Sequence, residues 1–149
     1  MSPTIPKNEI LNGYTYLKKF VEIVSSARTS IYISMYIWRM DVLNPLSPIS
    51  ELNRALANAR ARGVRVYSVT NFGDVVRRLQ GQGIEAYKYA GPNCFHNKIV
   101  VVDSQYYFIG SHNFSNHALL SNVEVSICAF DPVNAQKLEN FILSIKTIK

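Results

Sequence analysis

Short segments rich in β-branched and aromatic residues alternate with amphipathic helical segments along this chain of 149 residues. Residues 30–38 (SIYISMYIW) and 64–70 (VRVYSVT) predict buried strands, because such residues pack well on a pleated surface. Between them, Ser47 and Pro48 mark the start of a helix, and Gly63 stands where a helix C-cap belongs. This alternation predicts an α/β fold.

Further along the chain, strands cluster rather than alternate. We predict strands at about 84–89, 97–103, 106–110 and 122–129, and a short helix at about 74–80. Helical periodicity predicts a first helix over about 7–27 and a closing helix after Asp131, with an inward face of Leu138, Phe141, Ile142 and Ile145. No linker or repeat divides the sequence. The expectation is a mixed β-sheet sandwiched between helices, in one domain over residues 1–149.

The positive charge is concentrated in one segment. The net charge is +6, and residues 54–88 hold seven of the 16 basic residues but only two of the 10 acidic ones. A solvated helix surface explains such a stretch, and so does a binding surface for a polyanion such as nucleic acid or an anionic lipid.

Several classes of protein are disfavoured by the sequence. No apolar run approaches the roughly 18 residues of a membrane-spanning helix, and 48% apolar composition argues against intrinsic disorder. Charged residues from Lys7 to Arg28 interrupt the N-terminal region, so it does not resemble a signal peptide. We therefore expect a cytoplasmic protein without stable membrane insertion and with its two cysteines reduced, although a leader outside this sequence would change the compartment.

The residues that point to chemistry lie between Cys94 and Ser115 (CFHNKIVVVDSQYYFIGSHNFS). In a strand, His96 and Lys98 project from the same face about 6.5 Å apart. A lysine can neutralise the oxygens of a phosphate while the histidine reaches phosphorus. After the next strand, Ser111 and Asn113 offer a hydroxyl and a carboxamide to the same oxygens. The pattern predicts a phosphate site.

HNKIVVVD and GSHNFS resemble the HKD motif of the phospholipase D superfamily. The segments ISMYIW and ALANARARGVRVYSVTN resemble the strand–helix–strand approach to that motif, and Glu124, within SNVEV, resembles the glutamate that follows it in the small endonucleases of the group. Asn71 departs from the pattern, since many relatives have an acidic residue there. The chain is closest in type to the small bacterial endonucleases of the superfamily.

This resemblance implies a metal-independent phosphodiesterase without a cofactor. By analogy, His96 is the nucleophile that forms a phosphohistidine, and Lys98, Ser111 and Asn113 hold the phosphate. Glu124 would accept a hydrogen bond from the other ring nitrogen of His96. Two further residues receive lesser roles: Asp103 a supporting one, on the face opposite His96, and His112 that of a loop residue near the substrate.

A single motif implies two chains. In-line displacement at phosphorus needs a nucleophile on one side and a proton donor on the other. Only His96, among three histidines, has a lysine two residues later. We therefore expect a two-fold homodimer in which the two copies of His96 face each other across the axis.

Three other functions remain open. Cys94, His96, His112 and His117 form a possible zinc-binding pattern, although it leaves Lys98 and Asn113 unexplained. A phospholipase D-type phospholipid hydrolase shares the motif, but the sequence shows no apolar membrane-docking loop, and Trp38 is expected in the core. A non-catalytic nucleic-acid-binding domain is the third. We favour an endonuclease acting on DNA or RNA.

Overall fold

The structure, a computed structural model, describes residues 7–148. It contains eight strands, β1 Asn8–Asn12, β2 Ser30–Met35, β3 Arg65–Thr70, β4 Glu85–Tyr89, β5 Lys98–Val102, β6 Tyr106–Gly110, β7 Val125–Phe130 and β8 Thr147–Ile148. The four α-helices are α1 Gly13–Ser25, α2 Pro48–Ala61, α3 Gly73–Gly81 and α4 Pro132–Ser144, and a short π-helical turn spans His117–Ser121.

All eight strands form one mixed sheet in the order β1-β7-β6-β5-β2-β3-β4-β8. The parallel pairs are β2 with β3 and β3 with β4, and these strands are joined by helices α2 and α3. The pairs on either side are antiparallel, among them β2 with β5 and β5 with β6. The predicted mixed sheet is confirmed: crossover helices connect its parallel strands, and a tight turn connects antiparallel β5 and β6.

Helices cover both faces of the sheet. The larger core packs α1, α2 and α3 against residues such as Ile33, Val66 and Val100. A smaller core lies under α4, where Ala135 and Ile142 pack against Tyr32, Val69 and Val101. Trp38 is fully buried, as expected, and its indole nitrogen donates to Asn53 Oδ1.

Three local predictions were wrong. Residues 8–12 form the edge strand β1, not the start of a helix, because pairing with β7 satisfies their backbone groups. The strand predicted from residue 122 begins only at Val125. On α4, Phe141 is exposed and does not face inward with Ile142. The capping prediction for α2 is confirmed, since Ser47 accepts from the Ser50 amide.

Asp103 fixes the turn between β5 and β6, at the end where β2 begins. Its carboxylate accepts from the backbone amides of Arg28, Thr29 and Ser30 and from the Thr29 hydroxyl. Burial raises the pKa of this carboxyl, but the hydrogen bonds outweigh that effect and hold the pKa below its usual value. Asp103 has a positive φ of 55°. It therefore joins the loop before β2 to the end of β5.

His112 lies in the core and connects three elements. Its ring stacks on Tyr16 of α1, with ring centroids 4.4 Å apart. Nε2 lies 3.3 Å from the Gly13 carbonyl oxygen and Nδ1 lies 2.7 Å from Ser126 Oγ. Since a carbonyl only accepts, Nε2 carries the proton and Nδ1 accepts from the serine. Burial lowers the pKa of His112 to about 4, so the ring is neutral at neutral pH.

We predict that Asp103→Ala lowers the free energy of unfolding by about 2–4 kcal/mol, because several donors lose a charged acceptor and alanine must adopt a positive φ. Urea unfolding followed by circular dichroism measures the change. The matched variant Asp103→Asn keeps an acceptor oxygen and tolerates the left-handed conformation, so it should lose less. An unchanged urea midpoint for Asp103→Ala would contradict this role.

We also predict that His112 makes stability fall as the pH drops. The folded-state pKa of His112 is near 4 and the unfolded value about 6.5, so the unfolded state binds the proton more readily between these values. Between about pH 7.5 and about pH 5, this coupling should remove about 2 kcal/mol from the free energy of unfolding.

The free energy of unfolding is measured against pH for the wild type and for His112→Gln. This variant should be less stable at neutral pH but should lack most of the pH dependence. His117→Gln is the matched control, because His117 is exposed. The prediction fails if His112→Gln retains the wild-type dependence.

Candidate active site

Most of the predicted site residues lie at one end of the sheet, where parallel strands β2 and β3 finish. Lys98 is the first residue of β5 and pairs with Met35, the last residue of β2. His96 precedes the strand by two residues and is exposed. The residue between them, Asn97, accepts a hydrogen bond from the Tyr36 amide, which fixes the motif beside the loop that leaves β2.

Lys98 holds the imidazole of His96 directly. Its Nζ donates to the His96 carbonyl oxygen at 3.0 Å and lies 3.4 Å from His96 Nδ1. Because an ammonium group only donates, Nδ1 is the acceptor in this arrangement. Partial burial lowers the pKa of Lys98, and the nearby Glu124 carboxylate opposes that shift. Lysine and histidine therefore lie side by side, as the sequence predicts.

Ser111 and Asn113 each accept a hydrogen bond from a backbone amide. Ser111 Oγ accepts from the Val125 amide at 3.0 Å, and Asn113 Oδ1 accepts from the Ile37 amide at 3.2 Å. What each side chain still offers is a donor, the hydroxyl hydrogen of Ser111 and the amide hydrogens of Asn113. Such an arrangement favours an anionic oxygen over a donor group.

Strand register brings Ser111 towards the motif. Ile109 pairs with Ile99 across β5 and β6, so Ser111 and Asn97 are the next opposed positions beyond the strand ends. Asn113 accepts from the amide of Ile37, the residue after Tyr36. The ring centroid of Tyr36 lies 4.9 Å from that of His96. The hydroxyl and the amide thus flank the same sheet end as His96.

Glu124 lies at this end of the sheet as well, in the loop before β7 and not within a strand. It is half-buried and next to Val125, which bonds to Ser111. Among residues 7–148, no hydrogen bond joins Glu124 to His96. Its field reaches Lys98, whose pKa it raises. The structure thus brings Glu124 near the lysine without the expected contact to the imidazole.

Two expected site residues lie elsewhere. Asp103 is at the opposite end of β5, where its amide donates to the Ser30 carbonyl. The sequence argument placed Asp103 on the face opposite His96, whereas the structure separates the two residues along β5, and the supporting role stays a prediction. His112 is only 1% exposed and both of its ring nitrogens bond to protein atoms. The prediction of a loop residue in contact with substrate is therefore corrected, because stacking on Tyr16 turns the ring into the core.

The geometry does not favour the zinc hypothesis. Within residues 7–148, no three histidine, cysteine or acidic side chains come close enough to hold a metal ion. His112 is bonded to Gly13 and Ser126, whereas His117 is exposed at the start of the π-helical turn.

Tyr36 is a site residue that the sequence argument missed. Its ring contacts His96, and Lys98 Nζ lies 5.6 Å from its centroid. An aromatic face stabilises a neighbouring cation, so Tyr36 helps to hold Lys98. The signal was present, because Tyr36 directly follows a strand whose carboxyl end meets a polar motif.

An apolar loop also leaves β2 at this end of the sheet, which corrects the expectation that none exists. Val42, Leu43 and Leu46 are exposed, Leu43 by 94% and Leu46 by 88%. Hydrogen bonds from Ser50 Oγ to the Asp41 and Asn44 carbonyls hold the loop to α2. No helix in the described part of the chain is long and apolar enough to cross a bilayer.

The chain was compared with models of protein families and with known proteins. The family model described as "Cardiolipin synthase, PLD-like domain" matches residues 20–145. Cardiolipin synthase A of Pseudomonas fluorescens (strain SBW25) is 34% identical over 61 residues, which is 41% of this chain but only 12% of that protein's length.

Two solved structures share the fold over nearly their whole chains. Nuc from Salmonella typhimurium, a phospholipase D family member, matches with a TM-score of 0.78 and 19% identity, over 95% of this chain and 99% of that one. NucT from Helicobacter pylori matches with a TM-score of 0.77 and 19% identity, over 93% and 94%. They show the fold, and the family model over residues 20–145, most of the chain, shows that this chain belongs to the PLD-like domain family.

Proposed function

We propose that this protein is a phosphodiesterase, and specifically a metal-independent endonuclease that cleaves the backbone of DNA or RNA through a phosphohistidine on His96. The observation that carries the proposal is the site itself. An exposed imidazole lies beside a lysine, and Ser111 and Asn113 nearby still have hydrogen-bond donors to offer. This donor set fits the non-bridging oxygens of a phosphodiester and needs no metal to neutralise them.

The first chemical step begins with a change of partner at Lys98. When a phosphate enters, the ammonium turns from His96 Nδ1 to an anionic oxygen. The imidazole then carries its proton on Nδ1, and Glu124 accepts that hydrogen bond. Nε2 is left with its lone pair and attacks phosphorus, so the N–P bond forms as the bond to the leaving oxygen breaks.

A second copy of the chain supplies the opposite side of the reaction. The leaving oxygen takes a proton from the partner subunit's His96, which must be positively charged beforehand. That neutral ring next removes a proton from water, whose oxygen attacks phosphorus and breaks the N–P bond. The homodimer follows from this stereochemistry, because one imidazole cannot stand on both sides of the phosphorus atom.

Nucleic acid is the proposed substrate because the chain is basic and matches the small members of the superfamily in size. Its net charge is +6, and it covers 99% and 94% of the Nuc and NucT chains. Phospholipid hydrolysis is the second candidate. The exposed apolar residues Val42, Leu43 and Leu46 in the loop that leaves β2 and the match to cardiolipin synthase A favour it.

We predict that His96→Ala abolishes cleavage of plasmid and RNA, whereas Lys98→Ala lowers kcat by about 10²–10³-fold because the developing charge loses its counter-ion. Cleavage by the wild type should persist in excess chelator. His117→Ala is the matched control and should retain activity, since His117 is an exposed histidine outside the site. Activity that disappears with chelator and returns with zinc would overturn the mechanism. Hydrolysis of phosphatidylcholine without nuclease activity would transfer the proposal to lipids.

The shared site predicts a dominant effect on mixing. When wild type and His96→Ala are dissociated, combined in equal amounts and reassociated, a mixed dimer has one imidazole where two are needed. Random pairing should leave about a quarter of the activity that the same total protein shows as wild type, against about half for independent sites. A monomer with full activity, identified by light scattering at assay concentration, would contradict the dimer.

A further inference from the structure

The basic residues of segment 54–88 do not form one surface. Three of them lie at the end of the sheet opposite His96, where Arg65 opens β3 beside Ser30. Each is engaged by the protein, as Arg60 donates to the Gly83 carbonyl, Arg62 to the Val24 and Ala27 carbonyls, and Arg65 to the Glu85 carboxylate. These arginines hold the fold together.

Two others lie at the catalytic end. Lys88 of β4 pairs with Thr70, the last residue of β3, and Arg77 is on α3, which follows β3. A methyl group placed on Gly73 would lie 3.5 Å from Arg77 Nη1 and 3.9 Å from Lys88 Cδ, so the two side chains converge on one point. Neighbouring Phe72 carries the guanidinium of Arg39 5.1 Å above its ring.

Arg39, Arg77 and Lys88, which we call the cation track, are all exposed. Within residues 7–148, none of their side chains donates a hydrogen bond or forms an ion pair, unlike the arginines at the other end. Asp74 is the acidic residue in the first turn of α3, and among residues 7–148 it forms no ion pair with Arg77 or Arg78. The track therefore keeps its positive charge available to an anion.

The position of the track sets the size of that anion. From β5 to β4 the sheet order passes β2 and β3, three spacings of about 4.8 Å. Lys88 is thus about 14 Å from Lys98 across the sheet end. Phosphates of one DNA strand recur about every 3.4 Å along the helix axis, so a strand held at His96 would bring further phosphates to the track. A headgroup with one phosphodiester does not extend that far.

We infer that the cation track binds the phosphates that flank the scissile one on a nucleic-acid strand and so selects polynucleotides over phospholipids. This rests on the proposed function and names the residues that would set its substrate class. Because each phosphate contact releases counter-ions, the track should also govern the dependence of binding on salt.

The test variant is Arg77→Gln with Lys88→Gln, and its matched control is Lys7→Gln with Lys137→Gln. The control removes the same charge from exposed positions, with Lys7 beside Phe130 at the opposite end of the sheet. Each protein is assayed on a single-stranded oligonucleotide and on bis(p-nitrophenyl) phosphate, a diester too short to reach the track.

We expect kcat/KM on the oligonucleotide to fall about tenfold or more in the test variant, with hydrolysis of the short diester unchanged, and no change in the control. Oligonucleotide binding is measured by fluorescence anisotropy in the His96→Ala background, with and without the same substitutions. The logarithm of the association constant falls as the logarithm of the salt concentration rises, and this fall should become less steep by about 1 for each cation removed.

The two proposals fail in different ways. If the test variant binds and cleaves the oligonucleotide like wild type while the short diester is hydrolysed, the inference is wrong and the phosphodiesterase mechanism stands. If neither substrate is hydrolysed by wild type, the proposed function fails, and the anisotropy slopes still decide whether the track binds nucleic acid. Binding to phosphatidylglycerol vesicles that depends on Arg77 and Lys88, without binding to the oligonucleotide, would overturn the inference in favour of a lipid surface.

Discussion

The antiparallel pairing of β5 with β2 is the constraint on which the site depends. It starts the motif strand at the carboxyl ends of the parallel strands, so that Lys98 lies opposite Met35. The loops that leave β2 and β3 open at the same place, and the Tyr36 amide donates to the Asn97 carbonyl there. In open α/β sheets, ligands bind beyond the carboxyl ends of the strands. Here the antiparallel strand brings the reactive imidazole to that position, and β6 then returns Ser111 to the same edge.

Backbone amides decide what this end of the sheet can bind. The amides of Val125 and Ile37 donate to the side-chain oxygens of Ser111 and Asn113. The Ser111 hydroxyl hydrogen and the Asn113 amide hydrogens are still available as donors. In the free protein, the Lys98 ammonium donates into the same region and lies within hydrogen-bond distance of His96 Nδ1. That contact keeps Nδ1 without a proton, the opposite of what attack through Nε2 requires. In the proposed mechanism, arrival of a phosphate attracts the lysine and releases the ring to the tautomer that can attack through Nε2, so substrate binding would be coupled to activation of the nucleophile.

The sequence predicted the elements that depend on local patterns and missed those that depend on distant partners. Ser47 at the start of α2 and the alternating residues of β5 and β6 carry their signals locally, and both were correct. The edge strand β1 was read as helix because its pairing with β7 lies more than a hundred residues away in sequence. For the same reason, no local pattern showed that His112 stacks on Tyr16 and bonds to Gly13. Motif spacing located His96 and Lys98, but only the assembled sheet could place Tyr36 against them.

The distribution of basic residues along the sequence does not show which of them can bind an anion. The structure shows it, because it identifies the hydrogen-bond acceptor that each side chain already contacts. Arg62 and Arg65 look equivalent to Arg77 in the sequence, yet two carbonyls and a carboxylate already engage the first two. A guanidinium that satisfies buried carbonyls cannot leave them for a ligand without leaving those groups unpaired, which costs about 1–3 kcal/mol each. Arg77 has no such contact to lose among the described residues. The proposed capacity of this protein for a polyanion therefore depends on cations that the fold has not engaged, such as Arg77 and Lys88 at the end of the sheet where His96 lies.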